Sequence, residues 1–559
     1  MKTIGLLLYP GAILSGLVAM TTMAFADEDS REYYKPSAWQ PRVTLPAADA
    51  LRGDFAPPSP EVKVDYTGAG FAGDRLSKVP APGVHPRVFF SPEDIELIRK
   101  KVALGDKAPI AFRKLWEVEK KLKTAFYALV AQDEALGREL AAKLGAKAAE
   151  VEPKVDNIQK RPGLEKENHW ALRGTLDGEN SPDAEATNLM QFIDYDYLYR
   201  WLNEGQRAQI RRIIAKMTAG KSSNFMEVPD HFMINNHLSF GMGYFVPPML
   251  LIEGEEGYDP KTFAMAARKV RALLTYYFSP SGMNYETIKG WLDTPTILAV
   301  ARRDRDLLKH GHLMAKMRYQ LNSARWQDGG WRIREEMRNS AFHVNFLMHY
   351  FYPKDAMIDF LYKASLATHH LDDDTPAKAI DTVGCSRDIL LFLADDGMVD
   401  AAGKPFSCED QARLDALNAP LTWSCPQRGY MEARNSWRKN DLHVSVFGKQ
   451  DFIYNGHEGP EQGRFLLWKD GVNWAADIGM LFNKVNADQN TVSVDGKGAL
   501  WPPVCNKWLG VLDTPQSATA AVDYKDGYSY VKVAQVHPFN APEVATARFK
   551  GSDEGNFNY

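Results

Sequence analysis

Hydrophobic spacing changes once along this chain, and that change limits the folds open to it. From Ser91 to about residue 400, apolar residues recur at three- and four-residue intervals, the spacing of amphipathic helices. After Pro426 the pattern becomes alternation, as in His443-Val444-Ser445-Val446-Phe447, Thr491-Val492-Ser493-Val494-Asp495 and Tyr528-Ser529-Tyr530-Val531-Lys532-Val533. Asp495-Gly496 and Asp526-Gly527 read as hairpin punctuation between strands. Helices followed by strands, instead of strictly alternating with them, argue against a doubly wound α/β sheet. They predict two segregated domains with a site at the junction. The helical part reads as an α/α bundle or toroid and the strand part as an antiparallel β-sandwich.

Helices are expected over 95–102, 112–129, 189–202, 204–217, 260–274, 304–325 and 342–352. The first has a strong start signal in Ser91-Pro92-Glu93-Asp94: a serine N-cap, proline in the first turn, then acids that suit the positive end of the helix dipole. His85-Pro86-Arg87-Val88-Phe89-Phe90 just before it reads as a short strand. Residues 27–84 are rich in Pro, Gly and Ala and read as an extended lead-in. Ahead of them, Lys2, an apolar stretch and Ala24-Phe25-Ala26, followed by Asp27-Glu28-Asp29, make residues 1–26 a secretory signal peptide. The expected organisation is therefore signal peptide 1–26, lead-in 27–84, helical domain 85–425 and β-sandwich 426–559, short for a closed sandwich. A periplasmic or secreted location follows from the signal, with no stable membrane insertion after its removal.

Charge adds an exclusion. The 559 residues carry 67 Lys+Arg against 71 Asp+Glu, a net charge of −4, so no basic excess exists to bind nucleic acid. Cys385, Cys408, Cys425 and Cys505 fit no CxxC metal spacing, and an exported chain leaves three disulfide pairings open. The basic runs 302–305 and 332–338 read as solvated helix faces, with a basic rim facing an acidic polymer as the alternative. Asp194 and Asp196 read as a salt link or solvated face in preference to a catalytic pair.

Ordered motifs then carry a family resemblance. His85-Pro86-Arg87 precedes a capped helix, and Tyr430-Met431-Glu432-Ala433-Arg434-Asn435-Ser436-Trp437 opens the strand part. Gly456-His457-Glu458-Gly459-Pro460-Glu461-Gln462-Gly463-Arg464-Phe465 is similar to a Gly-His-x-His-x-Asp-x-Gly-x-Phe pattern, followed by Trp474–Gly479 and Asn490–Gly496. Over residues 85–559 this order resembles the heparinase II/III and alginate lyase superfamily of polysaccharide lyases. The resemblance implies an α/α toroid followed by an antiparallel β-sandwich, and β-elimination on a uronic-acid-containing polysaccharide, an acidic partner.

That reaction removes the C5 proton, which the adjacent carboxylate acidifies once donors neutralise its charge, and protonates the departing oxygen at C4. The resemblance assigns Asn236 to neutralising the carboxylate and His237 to the base or charge-stabilising role. Tyr285 is the candidate acid, although relatives place their tyrosine after the Glu that here is Glu286. His457 aligns with a second histidine in the strand part, and Tyr454 is a fallback acid. Arg434 and Trp437 are expected to line the cleft as a carboxylate clamp and a sugar-stacking platform.

Some relatives hold zinc through a second His of His-x-His, a later Asp and a further His. The matching positions here are Gly459, Asp477 and Gln489 or Asn490, and one carboxylate does not make a zinc site. No zinc and no organic cofactor are expected; Glu461 and Asp477 offer at most a place for a hard cation. Two other functions stay open. A glycoside hydrolase on a helical toroid needs two carboxylates, for which Glu286 and Asp293 are the best pair. A non-catalytic glycan-binding protein would also account for the departures from the family pattern.

Overall fold

The computed structural model describes residues 70–159, 189–220, 245–276, 293–309, 313–314, 317, 320–322, 325–327, 330–332, 341–368, 392–393, 411–425, 430–438, 440–447, 465–475, 507–513 and 518–523. A mostly helical body is followed by an antiparallel five-stranded sheet. None of the described helices is long and apolar enough to cross a membrane.

Helix α1 (Pro92–Ala103) starts where the sequence places it. Ser91 Oγ accepts from the Asp94 amide at 3.1 Å, and the Asp94 carboxylate accepts from the Ser91 amide at 2.7 Å, closing a capping box with Asp in the usual Glu position. Asp94 is buried and does more than cap. It accepts from Ser77 Oγ at 2.6 Å and pairs with Arg302 at 3.3 Å.

The single helix expected over 112–129 is two, α2 (Ile110–Leu122) and α3 (Ala125–Ala131). Lys123 takes a left-handed conformation at φ 50°, and Thr124 caps the second helix by accepting from the Tyr127 amide at 3.0 Å. Apolar periodicity runs through the break, because both helices bury residues in one core, and so it conceals the cap.

Helix α4 (Glu134–Gln159) is 26 residues long and lies within the stretch of helical spacing, although outside the individual ranges given above. Its buried side chains, Leu136, Ala141, Leu144, Ala148, Val151 and Val155, recur at three- to five-residue intervals along one face, with Pro153 inside the helix. Its glycines have a packing reason. A Cβ at Gly137 would overlap the Trp201 ring, and one at Gly145 would overlap the Gln206 side chain. Bare backbone at these positions lets the 199–206 region press against α4.

Residues 189–202 are not one helix. They form 3-10 turns at Leu189–Phe192 and Tyr199–Trp201 around a four-residue helix α5 (Tyr195–Leu198). Helix α6 (Glu204–Gly220) then packs along α4. After it come α7 (Pro260–Tyr276), α8 (Asp293–Ala301), α9 (Ala341–Phe351), α10 (Ala356–Thr368) and α11 (Gln411–Ala416). Of the helix expected over 304–325, residues 313–314, 317 and 320–322 are helical, while Arg305–Lys309 is a 3-10 turn and Arg325 already belongs to a hairpin of β1 (Arg325–Gln327) with β2 (Gly330–Arg332).

The segment 85–90 is not a strand. Its apolar residues Val88, Phe89 and Phe90 are buried, but its amides find no sheet partner; those of Arg87 and Val88 are satisfied by the Asp196 carboxylate at 2.9–3.0 Å. Phe90 stacks on Phe126, which in turn meets Tyr197 and Phe392 edge-on, forming an aromatic centre for the helical core.

The basic run 302–305 is not a solvated face. The Arg302 side chain is fully covered and donates to the Phe89 carbonyl at 2.8 Å. Arg303 pairs with Glu253 at 2.6 Å, and Arg305 with Asp74 at 3.2 Å. These arginines fasten residues 73–94 to the end of α8, so their charge serves the fold.

The five-stranded sheet is an antiparallel meander, in order β3 (Thr422–Cys425), β4 (Tyr430–Arg434), β5 (Leu442–Phe447), β6 (Phe465–Lys469) and β7 (Val472–Ala475). A hairpin of β8 (Lys507–Asp513) and β9 (Ala518–Asp523) follows. The strand expected over 443–447 lies within β5; those over 491–495 and 528–533 fall outside the described residues.

Candidate functional site

The junction of helices and sheet is built from alternation. Glu432 and Arg434 are two apart on β4, and His443 and Ser445 are two apart on β5, so each pair shares a face. In the ladder Glu432 stands opposite Ser445 and Arg434 opposite His443, which gathers four polar side chains on one side of the sheet. Alternation of polar with apolar ordinarily marks the polar side as the wet one. Here the polar face is the covered one: Glu432, His443 and Ser445 are each 1% exposed.

Within this face the groups answer one another. Ser445 Oγ donates to Glu432 Oε2 at 2.6 Å, and His443 Nε2 lies 2.5 Å from the same oxygen. The Arg434 guanidinium pairs with Asp441 at 3.2 Å and donates to the Asn322 carbonyl in the helical body. It also sits over the Trp437 ring, 3.9 Å from the centroid. Trp437 Nε1 donates to the Ala419 carbonyl at 3.1 Å, and Asn322 Nδ2 to the Pro420 carbonyl at 3.2 Å. The sheet is thus bound to the helical body by a buried contact of Arg434 with Asn322 and by half-buried ones at Ala419, Pro420 and Trp437.

Arg434 and Trp437 are both buried, with internal partners on their polar groups. The guanidinium is thus paired with Asp441 and covered by an indole within the interior. Two acceptors in the region, Glu432 Oε1 and Asn322 Oδ1, are buried with no hydrogen-bond partner. Among the described residues no group of three or more His, Cys, Asp or Glu side chains is arranged to hold a metal ion.

Asn236, His237, Tyr285, Tyr454 and His457 all lie outside the described residues, as do Glu286, Glu461 and Asp477. Their places in the chain are nonetheless marked by described elements. Asn236 and His237 follow α6, Tyr285 falls between α7 and α8, and Tyr454 and His457 fall between β5 and β6. Glu432, Asp441, His443 and Ser445 were missed at the sequence level. The i, i+2 spacing of charged residues within strands was the available signal, and it pointed to solvent.

A second polar centre lies inside the helical body. His85 Nδ1 is 2.7 Å from Asp196 Oδ1 and its Nε2 is 3.4 Å from Glu255 Oε1. The ring stacks on Tyr199 at 4.0 Å and meets Tyr195 edge-on. Burial works against a charge on His85, but the hydrogen bonds to Asp196 and Glu255 outweigh it and hold the imidazole above its ordinary range. Burial likewise opposes charge on Glu255; His85 and Arg211 overcome it and hold the carboxyl below its usual range. Asp196 forms the salt link expected of the 194/196 pair, with two backbone amides in addition.

No protein-family model matches this chain, and no curated protein is significantly similar to it. Among solved structures it is similar to heparinase III, at 12% identity and a TM-score of 0.40 over 80% of this chain and 68% of that one. A heparinase III structure with methylated lysines gives 14% identity and a TM-score of 0.40, over 93% of this chain and 74% of the other.

Proposed function

We propose that this chain is a polysaccharide lyase that cleaves a uronic-acid-containing polysaccharide by β-elimination. The observation that carries the reading is the place of the Gly456–Phe465 motif in the strand order. Its final Phe465 is the first residue of β6, directly beside β5 and one strand from β4, whose polar face is turned onto the helical body. A motif resembling the family's therefore leads into the strand layer that is joined to the helices, as a site shared between both parts requires.

In this reading Asn236 donates to the uronate carboxylate, and the C5–H bond becomes acidic because charge can spread onto that group. His237 takes the C5 proton. The C5–H electron pair becomes the C4–C5 double bond, the bond from C4 to the glycosidic oxygen breaks, and Tyr285 supplies a proton to the departing oxygen. His457 stabilises charge, with Tyr454 three residues before it in the sequence as the fallback acid. Arg434 and Trp437 back the sheet side as a rigid wall. The signal-like residues 1–26 accord with export to where such polymers occur.

Incubation with uronate polysaccharides, followed by ultraviolet absorbance of the conjugated C4–C5 double bond, tests the reading. Absorbance that rises with new reducing ends is expected, and is lost in His237→Ala. Reducing ends without absorbance would mean hydrolysis, and retention of polymer without cleavage would mean a glycan-binding protein.

A further inference from the structure

We propose that His85 is a protonation-dependent clasp: as an imidazolium it bridges Asp196 and Glu255, and loss of its proton releases the Glu255 side, loosening the segment before α1 from the turn before α7. The geometry carries this. Both ring nitrogens face carboxylate oxygens, at 2.7 and 3.4 Å, and the side chain is 1% exposed, so water cannot stand in for either partner. A neutral imidazole has one N–H and one lone pair. Whichever nitrogen loses its proton then directs a lone pair at a carboxylate. Only the doubly protonated ring fits both.

The remaining charges decide which side opens. Asp196 is fixed by the Arg87 and Val88 amides and makes the shorter contact, so it keeps the remaining N–H. Glu255 has an alternative partner in Arg211 at 3.3 Å, itself shared with Glu204. The two tyrosines against the ring, Tyr195 and Tyr199, stay neutral, because burial raises both. Arg207 lies over the Tyr199 ring, 4.2 Å from its centroid. A second tie between the same regions, Arg87 to Glu253 at 3.3 Å with Arg303 on the same carboxylate, contains no histidine and limits the opening. The clasp therefore relaxes without detaching. Since the folded imidazole is raised, its contribution is complete below the ordinary histidine pKa and is lost as pH rises through the raised value.

Hydrogen exchange of the full chain tests this, on peptides covering 84–91 and 250–259 at pH 6 and pH 8.5, each corrected for intrinsic exchange. Protection is expected to fall about threefold or more at the higher pH in the wild type. In Glu255→Gln it is expected to be unchanged, since the amide N–H donates to the lone pair of a neutral His85. Equal wild-type protection at both pH values would overturn the proposal, as would the same pH response in Glu255→Gln. If that variant does not fold, carbon-detected NMR of the wild-type His85 ring decides: a midpoint above 6.5 supports the clasp, and one at or below 6.5 overturns it.

Discussion

Arg302 and Asp94, 208 residues apart in sequence, meet in the interior with guanidinium nitrogens 3.3–3.4 Å from one carboxylate oxygen. The same carboxylate caps α1, so one group fixes both the start of the first helix and its attachment to the end of α8. Removing one partner leaves the other charged in a site without water, which costs about 3–5 kcal/mol. Asp94→Ala is expected to lose at least that much in chemical denaturation, because the cap goes as well. Adding Arg302→Met should recover part of the loss; if the two losses instead add in full, the ion pair is not coupled.

Gly137 lies where α4 meets Trp201, with no room for a Cβ. Gly137→Ala is expected to destabilise by about 1–3 kcal/mol through overpacking, although alanine is the better helix former. A second change, Trp201→Leu, should return much of the loss by clearing the ring. Thermal unfolding of the single and double variants checks this, and a stabilised Gly137→Ala would show that the ring moves aside easily.

Acid stability is expected to depend on Asp359. Burial raises its carboxyl, but His349 at 3.2 Å and Lys363 at 2.7 Å outweigh that and hold it below the usual range. A carboxyl lower in the folded state contributes stability that is present above its unfolded pKa, about 3.9, and is lost as pH falls through the folded value. Wild type should therefore exceed Asp359→Asn in melting temperature at pH 5, with the gap closing as pH falls towards 2. A gap that is constant with pH would mean that the loss is steric.

How much of this was legible depends on whether a residue's role is local. The cap of α1 was readable because Ser91, Pro92 and Asp94 act within four residues of one another. The break at Lys123 was not, since the apolar stripe continues across it and only backbone conformation changes. In α4 the apolar spacing is present, but the close approach served by Gly137 and Gly145 is set by Trp201 and Gln206, which lie beyond any local window. The sharpest inversion is in β4 and β5. Glu432, Arg434, His443 and Ser445 alternate with apolar residues as a solvent face does, yet they are covered. What makes that tenable is pairing across the hairpin and with Asp441, together with the distant Asn322 carbonyl, which no local window contains. Asn236, His237, Tyr285, Tyr454 and His457 were legible through motif order alone.

Arg434 provides the test that separates wall from clamp. Its guanidinium pairs with Asp441, lies over Trp437 and donates to the Asn322 carbonyl, three contacts that a lysine cannot reproduce together. Arg434→Lys is expected to lower the melting temperature while leaving KM for a uronate polymer unchanged in the folded protein. Arg434→Ala should be worse, by about 3–5 kcal/mol, because the buried Asp441 carboxyl loses the guanidinium paired with it. Asp441→Asn in that background should restore part of the stability, as expected when the damage is an uncompensated charge. A raised KM at an unchanged melting temperature in Arg434→Lys would instead place the guanidinium on the substrate carboxylate, with Asp441 holding it in position until the polymer binds.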